Sequence, residues 1–420
     1  MNSTSHSNDP YRVAYLSRSA DEVVRRDLDR LIRLRDEGFE VHVLAGPGEG
    51  LQSLKDRGFI TRKIPVRRSG NPAALAGAYF IVQAHLIENP PVLVHSVGHR
   101  LAWLGTYAAR QVKVPAIFST LEYHWLEEDP LHLPLGPMAQ LGTPDAIEGA
   151  EQLLNAAVGP SYRQWMRRAY RWLGEEVDKY VVTTEFDFQL VQDAQLVPVE
   201  KLEIAVGSPG VDLEKYSLTE PGPPDRRQAR DRLGLPGHWR QVVGWVGPVT
   251  RRHGADDLVE AIEKLRRSHP SVGWIIAPRD RLAAGQRRRL ERLQRRGQVQ
   301  LIDDRVAGAD LYEAMDLLMW LGRPSTPHDA IGEAAAMAVP TVGFDTPGAR
   351  SIIDAGQTGH LVYGEQLPTL VATAEKMLDD PSYLHEMGWR ARSRVARRFS
   401  RRDVDEQLLG LYDAVLGQKL

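Results

Sequence analysis

Val242-Val243-Gly244-Trp245-Val246 runs directly into Gly247-Pro248-Val249-Thr250-Arg251-Arg252-His253-Gly254, and then into the amphipathic stretch Ala255–Ser268. A short apolar run, a glycine-bounded loop and a helical segment in that order make one strand–loop–helix unit of an α/β domain. The pattern repeats outward in both directions. Upstream, strands are expected at Arg12–Leu16, Val41–Ala45, Pro91–His95, Ala116–Ser119, Tyr180–Thr183 and Leu202–Val206. Downstream, they are expected at Val272–Ala277, Val299–Ile302, Leu317–Leu321 and Thr341–Phe344. Helical stretches such as Asp21–Glu37 and Thr369–Leu378 lie between them. Unbroken Val/Ile/Leu runs alternating with helices predict parallel sheets covered on both faces. Two successive sets of these units predict two doubly wound, Rossmann-like domains.

The chain has 420 residues, which allows two to four domains at roughly 100–200 residues each. A stretch from Gly207 to Pro224, rich in Pro and Gly, is the expected boundary. The division is therefore 1–10 as a polar tail, 11–207 as the first domain, 208–398 as the second and 399–420 as a closing helix. An irregular, Pro- and Gly-rich insertion at about 126–160 interrupts the first domain. In the tail, Val404, Leu408, Leu409, Leu411, Tyr412 and Val415 recur as an apolar face that must pack on something. The Arg-rich segment Gln286–Arg296 reads as a solvated helix face.

Composition excludes several classes of function. The hydrophobic fraction is 42% and the charged fraction 26%, so the chain is globular rather than disordered. With 53 Lys+Arg against 55 Asp+Glu, the net charge is -2, and no nucleic-acid partner is expected. The absence of Cys removes disulfides, thiol nucleophiles and Cys-ligated zinc. The thirteen His lack HExxH-type spacing, so no metal site is expected. The start shows no apolar signal region, and the longest apolar run, about Ala73–Ile87, falls short of the roughly 20 residues a spanning helix needs. A cytoplasmic protein is expected, with loose membrane-surface contact left open.

A series of motifs carries more. Gly207-Ser208-Pro209-Gly210-Val211-Asp212 precedes the Gly247–Gly254 loop, and Asp316–Leu321 follows it. Next comes Gly332-Glu333-Ala334-Ala335-Ala336-Met337-Ala338-Val339-Pro340, then Pro347-Gly348-Ala349-Arg350 and Gly356-Gln357-Thr358-Gly359. The first half adds Gly38-Phe39-Glu40-Val41, and the tail adds Arg398-Phe399-Ser400 through Leu411-Tyr412. This series resembles the family-four glycosyltransferases, which have the GT-B fold: two Rossmann-like domains facing a cleft, with a C-terminal helix crossing back to the first. The resemblance covers nearly the whole chain.

The resemblance implies transfer of a sugar from a nucleotide-diphosphate sugar to an acceptor, with retention at the anomeric carbon and without a metal ion. No cofactor is implied beyond the donor substrate. The acceptor is a glycan, a lipid-linked molecule or a small molecule, in cell-envelope, polysaccharide or natural-product glycosylation. Such an enzyme must meet the departing diphosphate with helix N-termini and fixed cations. Glu333 matches the family's second paired Glu, which contacts donor ribose hydroxyls.

The departures define the rest of the expected site. Gly247 and Gly254 match the outer glycines of the phosphate loop, but Pro248 stands for the family's Arg and His253 for its Lys. Arg251 and Arg252 are the expected substitutes for the missing cation; as exposed loop residues turned to water they would not serve. Counting back from Glu333, the first paired Glu falls on Ser325, and Asp329 is the nearest carboxylate. Thr326, Pro327 and Asp329 read as a helix start, which puts Asp329 and Glu333 one turn apart. Asp329 is either part of a rearranged sugar site or only a cap residue. The family's Gly-x-x-Glu is here Gly348-Ala349-Arg350-Ser351, and Ser17-Arg18-Ser19-Ala20 replaces its first-domain glycine pair. The acceptor-side His would fall on Leu121; His124 is the expected catalytic substitute, with Glu122, His95 and His99 as alternatives. Because so many of these groups are replaced, a catalytically inactive relative serving as a binding or assembly subunit is the alternative reading.

Overall fold

The computed structural model describes residues 11–66, 72–119, 160–205, 210–218, 226–279, 282–303, 308–323 and 328–417; within these, the side chains of 72–75, 99–100, 160–167 and 252 are left out. The polar tail and the 126–160 insertion therefore lie outside the described residues. The chain divides into two units, Met1–Ala205 with Asp405–Leu420, and Val206–Val404.

The first unit is built on a parallel sheet of seven strands: β1 Arg12–Ser17, β2 Glu40–Ala45, β3 Ile60–Lys63, β4 Leu93–Val97, β5 Ala116–Ser119, β6 Lys179–Val182 and β7 Leu202–Ile204. Their order is β3-β2-β1-β4-β5-β6-β7, so the winding reverses between β1 and β4. Every residue of β4 is buried, as are the last five of β1, because helices cover both faces. Leu31, Leu34, Val43 and Tyr412 pack on one face and Leu16, Val82 and Leu104 on the other. Strand β3 was not expected. It is an edge strand, Ile-Thr-Arg-Lys, with no buried residue and hence no apolar run to betray it.

The second unit carries six parallel strands: β8 Gln241–Gly247, β9 Val272–Pro278, β10 Val299–Leu301, β11 Leu317–Trp320, β12 Thr341–Phe344 and β13 Gly359–Val362. The order is β10-β9-β8-β11-β12-β13, the Rossmann arrangement, with its reversal between β8 and β11. Edge strand β13 was also missed, since only its two end residues are buried. Trp245, Trp274 and Trp320 are all buried in this core, and the Trp245 and Trp320 rings stack at 5.7 Å. Truncating any one of them would cost about 3–5 kcal/mol.

Two local readings need correction. Asp21–Glu37 is not one uniform helix: Ala20–Glu22 and Leu28–Asp36 are joined by a π-helical turn, Val23–Asp27. Ser19 caps the first piece, its hydroxyl accepting from the Glu22 amide at 3.4 Å. The tail does not leave the second unit at residue 399. Phe399 is buried in the second core, and Ser400 still bridges to Val211. The last helix, Arg401–Leu416, begins there and belongs to the first unit from Asp405 onward. Among the described residues, no helix is long and apolar enough to cross a membrane.

Candidate functional site

In an open α/β sheet, ligands bind beyond the carboxyl ends of the strands where the winding reverses. In the second unit that place is the ends of β8 and β11, with β9 and β12 beside them. Four segments emerge there: Gly247–Gly254, Arg279, Leu321–Arg323 and Asp345–Gly348.

Gly247 ends β8 with φ +148°, and its carbonyl accepts the Arg279 amide at 3.1 Å. The loop then turns through a 3₁₀ segment, Arg251–His253, to Gly254. Gly254 is left-handed at φ +82°, and a Cβ there would stand 2.5 Å from the Leu321 carbonyl oxygen. Only glycine satisfies both the dihedral and the contact, so the loop is pressed onto the end of β11. The helix Ala255–Ser268 follows because Ala255, Leu258, Ala261, Ile262 and Leu265 bury one face, with Asp256 and Asp257 in its first turn and Arg266 and Arg267 in its last.

Arg251, expected as a cation of the site, lies at the surface in this structure. Its side chain is 72% exposed, and its Nε donates to Asp256 at 3.2 Å. Asp256 is also held by Arg289, and these two cations keep its carboxyl below the usual range against the opposing effect of desolvation. The side chain of Arg252 is outside the described set. His253 is half-buried, with Nδ1 2.6 Å from the Thr250 hydroxyl.

Glu333 is the centre of the arrangement. It lies on the helix Asp329–Ala336, which buries Ala330, Ile331, Ala334 and Ala335 and stops before Pro340. Glu333 Oε2 accepts from both Arg279 Nη2 and the Tyr312 hydroxyl. Arg279 Nη2 also donates to the Tyr312 oxygen at 3.2 Å, closing a triangle. The Arg279 and Glu333 side chains are only 11% and 17% exposed. Burial, reinforced by the Glu333 carboxylate, pushes the Tyr312 hydroxyl well above its ordinary pKa, so it remains a donor. Glu333 Oε1 has no partner among the described residues, and it is not among the described side-chain atoms sealed from solvent without a partner.

Asp329 opens the same helix one turn before Glu333. The N-cap is His328 rather than Thr326, and its side chain makes no cap hydrogen bond. Thr326, Pro327 and Ser325 lie outside the described residues, as do His124, Glu122 and Leu121. The Arg323 guanidinium bonds Asp257 at 2.7 Å and Glu365, and lies over the Phe344 ring. Arg350 forks onto Asp345 at 2.9 and 2.8 Å, and the Ser351 hydroxyl, at the position of the lost Glu, donates to the Gly348 carbonyl at 2.7 Å. His95 is fully buried between Tyr412 and Ser119, which gives it a structural place. His99 begins a helix, and its side chain is among those left out. Among the described residues, no three His, Asp or Glu side chains converge as a metal-ligand set.

The site thus joins Gly247 and Glu333 through Arg279. Arg279 and Tyr312 were absent from the sequence reading. One signal for Arg279 was legible: it immediately follows β9, at the carboxyl end of a strand next to the reversal. A buried Arg–carboxylate pair with one carboxylate oxygen left open can accept a hydrogen bond from a hydroxyl and place positive charge close by.

Two family models match the chain. The Glycosyl transferase 4-like domain matches residues 28–207, and the Glycosyl transferases group 1 domain matches residues 240–380. The alpha-D-kanosaminyltransferase of Streptomyces kanamyceticus is 29% identical over 44% of this chain and 48% of its own length. The D-inositol 3-phosphate glycosyltransferase of Nocardia farcinica is 27% identical over 70% of this chain and 64% of its own. The chain thus spans about half to two thirds of the length of these curated relatives. The crystal structure of Anabaena HepE in complex with UDP and glucose superposes with a TM-score of 0.71 at 17% identity, over 96% of this chain and 99% of that one. That likeness bears on fold. With both domain models matched in the expected order on two Rossmann-like sheets, the chain belongs to the family-four-like glycosyltransferases of the GT-B fold.

Proposed function

We propose that this protein is a glycosyltransferase that moves a sugar from a nucleotide-diphosphate sugar to a hydroxylated acceptor, with retention of anomeric configuration and without a metal ion. One observation carries the proposal beyond family membership. Glu333, the carboxylate that the family motif aligns with ribose recognition, stands at the strand reversal with one oxygen anchored by Arg279 and Tyr312 and the other without a partner among the described residues. A preorganised acceptor beside a fixed guanidinium suits a nucleoside diphosphate, whose ribose donates hydroxyls and whose phosphates carry charge.

The acceptor is proposed from the relatives' names. D-inositol 3-phosphate, named for one of them, favours a small polyol over a long glycan, with lipid-linked acceptors and peripheral membrane contact as the next possibility. Asp329, Ser325, His253 and Arg252 are proposed as donor-site residues and His124 as an acceptor-side residue.

The test is incubation of the purified protein with UDP-, GDP- and ADP-sugars and a panel of polyols. Release of nucleoside diphosphate is followed, and the product's anomeric configuration is assigned by NMR, with EDTA in a parallel series. A retained anomer, formed equally well with EDTA, is expected. Absence of both donor binding and turnover across the panel would overturn the enzyme reading in favour of a binding or assembly role.

A further inference from the structure

Arg279 is tied at both ends. Its amide is committed to the Gly247 carbonyl at 3.1 Å, which fixes its backbone against the end of β8. Its Nη2 reaches Glu333 Oε2 and the Tyr312 oxygen. Tyr312 is held from behind by the edge-on ring of Tyr216, with centroids 5.7 Å apart. Glu333 therefore spends one oxygen on two donors of fixed position. A carboxylate has about four lone-pair sites, so Oε1 keeps its own acceptor capacity.

The phosphate loop makes this arrangement more telling. Pro248 cannot donate, and Arg251 is spent on Asp256 in solvent. Arg279, by contrast, keeps its backbone against Gly247 and its little-exposed guanidinium on Glu333. We propose that Arg279 and Tyr312 are positioning residues for nucleotide recognition: they lock Glu333 so that its Oε1 accepts a ribose hydroxyl, and they thereby set the preference of the site for ribonucleotides over 2′-deoxyribonucleotides. This inference rests on the nucleotide-sugar reading above and adds to it two residues and a selectivity that the family motif does not contain.

The physical basis is rotational. A free Glu side chain samples several rotamers and loses that freedom on binding. A locked one presents a single acceptor, and a site built around a hydroxyl penalises the analogue lacking it, because the acceptor is left unpaired. Lys at position 279 would keep the charge but not the rigid planar guanidinium that fixes Nη2 between Glu333 and Tyr312.

The experiment is titration calorimetry of the full chain with UDP, GDP and ADP, each beside its 2′-deoxy counterpart. Wild type, Arg279→Lys, Tyr312→Phe, Glu333→Ala and the Tyr312→Phe/Glu333→Ala pair are compared, with a melting curve for each. Wild type is expected to prefer at least one ribonucleotide by about tenfold, the effect of one charge-assisted hydrogen bond. Arg279→Lys and Tyr312→Phe should each bring that ratio to within about twofold of unity, and Tyr312→Phe should add nothing once Glu333 is Ala. Tyr312→Phe keeps the buried ring, so it decides the matter if Arg279→Lys melts early. If wild type prefers ribonucleotides and both variants keep that ratio, the positioning role is wrong while the nucleotide site stands. If wild type binds none of the six nucleotides, the nucleotide-sugar reading itself fails and takes this inference with it.

Discussion

Arg30 and Asp405 are 375 residues apart in sequence, yet Arg30 Nε donates to Asp405 Oδ1 at 2.9 Å in a buried pair. Arg30 also bonds Asp27 at 3.3 Å, so one guanidinium joins the π-helical turn to the final helix. This contact, with Tyr412 on His95, fastens the end of the chain to the first unit.

Asp405→Ala removes one of the carboxylates paired with Arg30 in a site where the Arg30 side chain is only 7% exposed. Breaking a buried pair from one side costs about 3–5 kcal/mol. Urea unfolding should show that loss. The triple replacement Arg30→Met/Asp27→Asn/Asp405→Leu should recover most of it, because neither carboxylate is then left buried without its cation. A loss below about 1 kcal/mol for the single variant would mean the pair is hydrated after all.

Arg251→Ala should do little. An exposed Arg–Asp pair contributes about 0–1 kcal/mol, so stability and nucleotide affinity should stay near wild type. A large drop in nucleotide binding on this change would restore Arg251 as the phosphate cation and contradict the orientation described above.

Gly254→Ala should strain the Gly247–Gly254 loop. The new Cβ meets both an unfavourable φ of +82° and the Leu321 carbonyl. A cost of about 1–3 kcal/mol is expected. The folded variant should also bind nucleotide more weakly, since relief of the clash lifts the loop from β11. Unchanged melting and binding together would be inconsistent with the close approach.

His95 provides a pH signature. Burial, with Arg30's charge adding to it, pushes the imidazole down to about 3, so the folded protein keeps it neutral. The unfolded chain protonates it below about 6.5. A depressed folded pKa contributes stability that is present above the unfolded value and is lost as pH falls from there toward the folded one. The slope is at most about 1.4 kcal/mol per pH unit. His85, held down to about 4 chiefly by its own burial, adds in the same direction. Urea midpoints between pH 7.5 and 5 should fall with acidity, and His95→Asn should flatten that fall. Midpoints that do not move with pH would refute the assignment.

The alternation of strands and helices was legible in the sequence, because a central parallel strand is a local run of apolar residues wherever it sits. Val242–Val246, Thr341–Phe344 and Ala255–Ser268 announce themselves in this way. Edge strands β3 and β13 did not: β3 buries no residue and β13 only its Gly and Val ends, whereas the other two edge strands, β7 and β10, each open on a buried Leu or Val. The motif series around Glu333 was likewise readable, since spacing survives even where flanking charges are exchanged.

The sequence alone determined the two doubly wound sheets and the family, both of which depend on residues close together in the chain. Tertiary structure decided which cation serves that glutamate. Arg251, within the Gly247–Gly254 loop itself, pairs in solvent with an aspartate of the next helical turn. Arg279, at the end of β9, and Tyr312, in the short helix Asp310–Glu313 before β11, meet Glu333 only after β9, β8 and β11 have paired. Electrostatic partnership depends on distance through space, and that distance is set by the packing of the whole unit rather than by the order of its residues.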